Sequence, residues 1–560
     1  MENKTIARTL RLLSQLMELH GENPFKVKSM ANAAFKVDKL SFPIAGIELA
    51  AMEQVEGLGK STALKVWELL QKGSIAELDD LMEKTPSGIL EMLQVKGLGP
   101  KKIMVVWKDL GIENVGELYY ACNENRLVEA KGFGAKTQED IKKILEFRMA
   151  SSGRYLYARV ENFAEKLIND LRTDKPAFSF SYTGDFRRKC EIIDGLDILY
   201  GTPISEDIVN RIKQLGLTVT EQISNRLLTE SPEGIKVCFD FCTPDEFGWQ
   251  LIERTGSKLH VDGLRILISN ADVSGKSEPE IYSLAGIPFV EPELREGTNE
   301  LELAKKNSLP QLITFNDLKG SLHNHSNWSD GVNSLEEMAL YCRDELQMEY
   351  LGICDHSKSA FYAQGLNEIR VAAQQREIDV LNKKLAPFHI FKGIESDILY
   401  DGSLDYEEDI LKTFDFVVAS VHSILKMSEE KATHRLITAI ENPYTTILGH
   451  PTGRMLLTRS GYPIDHKKVI DACAANNVVI EINANPLRLD LDWRWHQYAI
   501  EKGVMLSVNP DAHRTAGFMD MHYGILVARK GGVSAANCLN AMDKNSIQNY
   551  FLSKKPAIIS

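Results

Sequence analysis

The chain has 560 residues, 44% of them apolar and 26% charged, with a formal net charge of −13. Those proportions are typical of a soluble globular protein, and the length exceeds what one core serves, so about three to five domains are expected. No apolar run approaches the ~20 residues of a membrane span, and the acidic total excludes a uniformly basic nucleic-acid coat while allowing local basic patches within a Debye length, ~10 Å at 0.1 M salt. Eight cysteines without paired spacing argue against a disulfide framework. MENKTIARTLRLL reads as an amphipathic helix rather than a signal peptide, and a cytoplasmic setting is expected.

From residue 1 to about 155, helical periodicity recurs in TIARTLRLLSQLMELHG, VKSMANAAFKVDKL, STALKVWELLQKG and IAELDDLMEKT. Similar turns occur in VEGLGKSTALKV (55–66), VKGLGPKKIMVV (95–106) and AKGFGAKTQEDI (130–141). Gly57, Gly59, Gly97, Gly99, Gly132 and Gly134 would let backbone N–H groups approach a phosphate, aided by the dipole of the following helix. Lys60, Lys96, Lys101, Lys102 and Lys136 supply positive charge; the third turn also carries Glu139 and Asp140. These turns resemble helix-hairpin-helix units, which bind DNA without sequence preference. GENPFKVKSMANAA (21–34) resembles the start of a small lyase-like domain, with Met30 and Ala31 where that domain usually has Tyr and Arg.

From about 155 to 315 strands are expected at FSFSYTG, IIDGLDILYG, IKVCFDFCTP and RILISN, giving a mixed α/β region. In IIDGLDILY, Asp194 and Asp197 lie three apart, so a continuous strand would send them to opposite faces; a metal-clamping pair should be spaced by two. The polar, Pro-bounded PELREGTNELELAKKNSLP (292–310) reads as a linker.

After about residue 316, short apolar runs alternate with helical stretches, as in a parallel βα array. Eleven of the thirteen histidines follow Lys319. Apolar runs end repeatedly in His or carboxylate: His323, His325 and Asp330 in SLHNHSNWSDG, Asp355 and His356 in YLGICDHS, Glu395 in HIFKGIESDIL, His422, His450, then Asp511 and His513. In a β/α barrel the C-terminal strand ends converge on one face, so these residues should meet there. Imidazole with carboxylate suits Zn, Mn or Fe. The candidate ligands are His323, His325, Asp330, His356, Glu395, His422, His450, Asp511 and His513, enough for two or three ions that would activate water against a phosphoester. Asp330, His356 and Asp355 are the candidate catalytic groups, Arg454 a phosphate contact, and Lys358, Phe361, Tyr362 and Arg488 candidate substrate contacts.

SLHNHSNWSDG, ICDHSKS, GIESDIL, VHS, GHPTGR, EINANPLRLDL and NPDAH together resemble the PHP phosphoesterase domain, and more closely the PHP domain fused to bacterial family X DNA polymerases. The resemblance implies a distorted (β/α)7 barrel with three divalent ions, manganese or zinc with iron as a further candidate, and 3′→5′ exonuclease or related 3′-end trimming. It also covers the middle region. SYTGDFRRKCEIIDGLDILY matches a palm signature in which Gly-Ser-x-Arg-Arg precedes Gly-Asp-x-Asp. The triphosphate-holding Ser is here Asp185, the aspartate pair is Gly195 and Asp197, and the third carboxylate falls on Cys238, with Asp240 two residues on. Arg187, Arg188 and Lys258 remain to hold DNA or phosphate.

The expected organisation is a multidomain α and α/β protein. It comprises a lyase-like helical domain (1–85), a fingers-like helical domain (86–155), a nucleotidyltransferase-like palm (156–240), a thumb (241–315) and the PHP barrel (316–560). The leading expectation is a metal-dependent nuclease acting on gapped, nicked or 3′-ended DNA with a silent polymerase core. The alternatives are a working gap-filling polymerase with an exonuclease, a phosphatase of a small phosphomonoester, and a non-enzymatic DNA-end binder.

Overall fold

The computed structural model describes residues 1–555 apart from 41, 129, 151–152, 175–178 and 270. It falls into two compact units, Met1–Glu146 and Phe147–Ser560.

The first unit is helical. Asn3–Leu19 buries Ile6, Leu10, Leu13 and Met17, spaced by three and four as one helical stripe requires. The other three expected helices form at Pro24–Lys39, Lys60–Lys72 and Ala76–Glu83. The three similar turns share one construction. Gly57, Gly97 and Gly132 adopt φ of 89°, 92° and 87°, a region that glycine enters without strain. The next N–H, of Leu58, Leu98 or Phe133, donates to the carbonyl of Val55, Val95 or Ala130 at 2.9, 3.1 and 3.0 Å. Helices then begin at Lys60, Pro100 and Ala135.

The second unit begins with a five-stranded sheet in the order Phe180–Tyr182, Leu196–Tyr200, Lys236–Phe241, Arg226–Glu230, Thr218–Ile223. The second and third strands run parallel, the other neighbours antiparallel. The structure corrects three sequence expectations here. IIDGLDILY is two strands: Ile192–Ile193 pairs with Tyr155–Leu156, Leu196–Tyr200 enters the sheet, and Asp194 with Gly195 joins them. RILISN lies largely in the helix Lys258–Ile268, because its buried residues His260, Val261, Leu264 and Ile268 repeat at helical spacing while Ile266 is exposed. Phe178 and Asn270, at the edges of two expected strands, lie outside the described residues. The segment 292–310 is packed rather than a free linker. It holds a turn of 3-10 helix at Pro292–Leu294 and a helix at Glu300–Lys305, and Arg295 is fully buried against Glu278.

Seven parallel strands follow: Gly320–Ser321, Tyr350–Ile353, His389–Asp397, Phe416–Ser420, Ile447–Leu448, Val479–Asn483 and Leu506–Asn509, adjacent in chain order. Beyond the strands the two edges meet: Asn324 pairs with Ala512, and the His325 N–H donates to the Ala512 carbonyl at 2.8 Å. This is the nearly closed (β/α)7 barrel expected from the sequence. Phe416, first in its strand, fills the N-terminal end. A Cβ on Gly352 or Gly393 would fall 2.6 or 2.5 Å from its ring. Phe551 of the last helix, Lys544–Lys554, stacks on it at 4.9 Å. The opposite, C-terminal end is thus the one available for a site.

The barrel is fastened to the sheet region. Arg529 pairs with Glu293 at 2.8 Å, His522 with Glu161 at 2.9 Å and Arg494 with Glu191 at 3.3 Å. Lys530, 3% exposed, ion-pairs with Glu296, which also takes Arg188 at 2.9 Å.

His496 is fully buried, and its Nε2–H donates to the Leu491 carbonyl at 3.1 Å. Burial, partly opposed by that carbonyl, lowers its pKa from 6.5 to about 4. The fold therefore favours the neutral ring; its contribution is complete above pH 6.5 and is lost as pH falls from 6.5 toward 4. Urea unfolding at pH 7 and pH 4.5 should show a larger loss of stability in the native chain than in His496→Gln, by about 1–3 kcal/mol.

Candidate metal centre

Glu395 organises the C-terminal end of the barrel. It lies on the strand His389–Asp397 and is 1% exposed. Five imidazoles approach its carboxylate: His323 at 3.2 Å, His325 at 3.7 Å, His356 at 2.9 Å, His422 at 3.1 Å and His450 at 3.0 Å. Asp511 lies 3.0 Å from His325, and Asp330 lies 3.6 Å from His356 and 3.4 Å from His513. All nine residues expected as ligands come together.

Three sets bring ligand atoms within 4.8 Å of one another: His325, Asp330, His356 and His513; His323, His325 and Asp511; and His356, Glu395 and His422. Among the described residues, His323 Nε2, His325 Nδ1, Asp330 Oδ2, His356 Nδ1, Glu395 Oε2 and His450 Nδ1 are buried without a hydrogen-bond partner. Buried polar atoms are normally satisfied. Lone-pair donors left without protons to accept, this close together, fit divalent cations.

The electrostatics agree. Burial opposes ionisation of Glu395, yet His422, His323 and His356 hold its carboxyl well below the usual range. Burial, with the charges of His513 and His356, lowers His325 to about 4. Burial is outweighed at His422, where Glu395 and Asp397 raise the pKa to about 10.

Two orienting carboxylates stand outside the nine expected ligands: Glu481, which the strand-end pattern of VVIEINANP already marks, and Asp397, which it does not. Glu481 contacts His323 Nδ1 at 2.6 Å and accepts the His450 N–H at 2.8 Å; Asp397 contacts His422 Nδ1 at 2.5 Å. Such partners fix the ring orientation of metal-binding histidines. A signal was present: Asp397 is two residues from Glu395 on one strand, hence on the same face.

Asp355, expected as catalytic, is placed otherwise. Its carboxylate accepts from the Ser326 N–H and Oγ (2.8 and 2.6 Å), the Ser329 N–H and Oγ (3.1 and 2.5 Å) and Gln374 Nε2 (2.5 Å). Those bonds saturate it and hold the loop that presents Asp330. Arg454, expected to hold phosphate, donates to the carbonyls of Arg488 and Leu489 and pairs with Asp492. Arg488 instead lies against the centre, Nε 4.0 Å from Asp511.

In the five-stranded sheet Asp197 pairs in register with Cys238, and Asp240 shares their face two residues on. Asp240 is 4% exposed and is gripped by Arg226 at 2.9 and 3.0 Å and by Arg254 at 2.8 Å. A Cβ on Gly195 would fall 2.9 Å from the Lys236 carbonyl oxygen. Asp194 points to solvent, 3.5 Å from Arg154. Asp185 pairs with Arg188, which also donates to the Thr255 carbonyl at 2.6 Å, and Arg187 binds Glu278 and Thr255, each at 2.9 Å. Both arginines, expected to hold DNA or phosphate, thus face groups of the chain itself. Lys258 is exposed and pairs with Asp262 at 2.5 Å.

Two family descriptions match the first unit: a helix-hairpin-helix domain over residues 1–75 and a SAM-like helix-hairpin-helix tandem over residues 89–146. Over 570 aligned positions the chain is 33% identical to the Bacillus subtilis (strain 168) protein named DNA polymerase/3′-5′ exonuclease PolX, spanning 98% of this chain and 99% of that protein. The chain belongs to the PolX family. Its barrel region is also 32% identical over 191 residues to a probable phosphatase of Thermoanaerobacter sp. (strain X514), covering 75% of that protein. A probable phosphatase of Caldanaerobacter subterraneus is 39% identical over 146 residues, 55% of its length.

Removing an orienting carboxylate should weaken the centre without removing a ligand. Glu481→Gln is expected to lower divalent-metal affinity about 10- to 100-fold, measured by competition with a chromogenic chelator.

Proposed function

We propose that this PolX-family chain is a DNA-binding, metal-dependent 3′→5′ exonuclease whose barrel carries the reaction. The convergence of nine lone-pair-donating side chains, Glu395 and eight others, carries this reading. These residues would hold two or three divalent ions by the ligand count, with zinc, manganese or iron suited to the donor types, and such ions would polarise a phosphoryl oxygen and lower the pKa of bound water. Arg488 is placed to orient the phosphodiester. Asp330 or His356 would take the proton of the attacking water, with Asp355 bonded to Ser326 and Ser329 of the Asp330 loop. The hairpin turns at Gly57, Gly59 and Lys60, at Gly97, Gly99 and Lys101, and at Gly132 and Gly134 are suited to hold the backbone of gapped, nicked or 3′-ended DNA. The work would take place in the cytoplasm.

The polymerase-like sheet is read as silent. A guanidinium has donors but no lone pair to share with a metal, and Asp240 is engaged by two of them. Asp197 is left facing Cys238, where the palm signature would have a carboxylate. A phosphatase reading has support from the probable phosphatases that resemble the barrel, but it leaves the hairpin turns without a task.

An end-labelled, 3′-recessed duplex with Mn²⁺ separates these readings. Degradation should proceed in the native chain and fall at least 100-fold in His323→Ala. Primer extension with deoxynucleotides would refute the silent core. Release of phosphate from small esters with no action on DNA would favour the phosphatase. Gly195→Asp alone should not restore extension, because its Cβ meets the Lys236 carbonyl.

Replacing Lys60 and Lys101 together by Ala should weaken DNA binding and reduce the slope of log K against log salt by about 2 if each contacts one phosphate. An unchanged slope in fluorescence-anisotropy titrations would remove these turns from the interface.

A further inference from the structure

Phe361 is 87% exposed, more than any other large apolar side chain among the described residues. It sits five residues after the ligand His356. Its neighbour Tyr362 lies with its ring 6.2 Å from the His356 imidazole, edge to face. Phe361 is therefore one residue along the chain from a ring that packs against a histidine of the centre.

The loop that carries it is firmly built. The Ser357 N–H donates to the Glu395 carbonyl at 3.0 Å, and the Leu366 N–H closes the loop on the His356 carbonyl at 2.8 Å. Ser359 donates its N–H to Asp405 at 2.7 Å and its hydroxyl to Asp397 at 3.0 Å. A Cβ on Gly365 would fall 1.9 Å from the Ser357 carbonyl oxygen, so the loop closes only around a glycine. Asp397 also holds His422, so one carboxylate sets both a metal-binding ring and the loop bearing Phe361. After His422 the chain again projects an exposed apolar side chain, Ile424, with φ of 55°, a strained conformation for a β-branched residue. A rigid loop at a reaction centre that leaves an aromatic ring bare is a platform awaiting a flat partner.

We propose that Phe361 stacks on the base of the 3′-terminal nucleotides and thereby makes the centre prefer nucleic-acid ends over base-free phosphoesters. Every base offers a π-face, so the contact would be strong without sequence preference. The inference rests on the exonuclease reading above.

The test compares two Mn²⁺-dependent substrates: an oligonucleotide with natural bases at its 3′ end, and one whose last two nucleotides are abasic tetrahydrofuran residues. The native chain should show kcat/KM at least about tenfold higher for the first, mainly through KM. In Phe361→Ala that ratio should collapse toward one, and in Phe361→Trp it should be kept. Equal ratios in all three proteins would overturn the platform while leaving the exonuclease standing. Failure of the native chain to shorten either oligonucleotide would overturn the exonuclease reading and the platform with it. Because Phe361 is exposed, its truncation leaves the core intact, and a purely structural effect would lower both rates without moving their ratio.

Discussion

Glu395 is a buried carboxylate ringed by imidazoles, and the barrel's C-terminal end is organised around it. An isolated buried carboxylate is costly, and removing one partner of a buried pair costs about 3–5 kcal/mol. Here the compensation comes from side chains on separate strands: His323 after the first, His356 after the second, His422 after the fourth and His450 after the fifth. That arrangement exists only if the sheet curls until its edges meet, which the Asn324–Ala512 pairing achieves. Closure and metal chemistry are therefore one constraint. The loops that close the barrel carry His325 and Asp511, the pair 3.0 Å apart that completes the second ligand set.

The five-stranded sheet shows how the same physics gives the opposite outcome with a different cation. Asp240 is as buried as many of the barrel carboxylates, but guanidinium groups surround it. Imidazole can be neutral and lend a lone pair to an ion that it shares with a carboxylate; guanidinium stays protonated and brings only donors. An Arg-satisfied carboxylate is a finished structural pair. A His-ringed one, with its own Oε2 and five neighbouring atoms unsatisfied, is an open site.

Much of this was legible in the sequence, and for identifiable reasons. Strand-end histidines survive inspection because period-2 alternation and barrel geometry bring strand termini together whatever the loops between them do. The hairpin turns were legible because a positive φ demands glycine at fixed offsets, as at Gly57, Gly97 and Gly132. What failed depended on tertiary context. Asp355 looks like a catalytic group beside His356, but its neighbours in space are Ser326, Ser329 and Gln374, which its sequence neighbours do not reveal. Arg454 follows His450 by one helical turn's spacing, yet the segment is not helical, and the guanidinium turns to the carbonyls of Arg488 and Leu489. RILISN has strand composition, but its burial repeats every three to four residues within a longer helix.

The polar segment 292–310 carries the argument furthest. A polar, proline-bounded stretch reads as a linker, because its charges call for water. Its glutamates instead find cations from the barrel: Glu293 takes Arg529, and Glu296 takes Lys530 together with Arg188. Arg188 belongs to the palm signature that would otherwise meet a triphosphate. One carboxylate thus engages a guanidinium of the palm signature and ties the sheet region to the barrel. Burial of Lys530 makes the tie hard to exchange for solvent, since breaking it would leave a charge without a partner in a low-dielectric setting. The engagement of Arg188 and the fastening of the barrel to the sheet region therefore share the same few ion pairs.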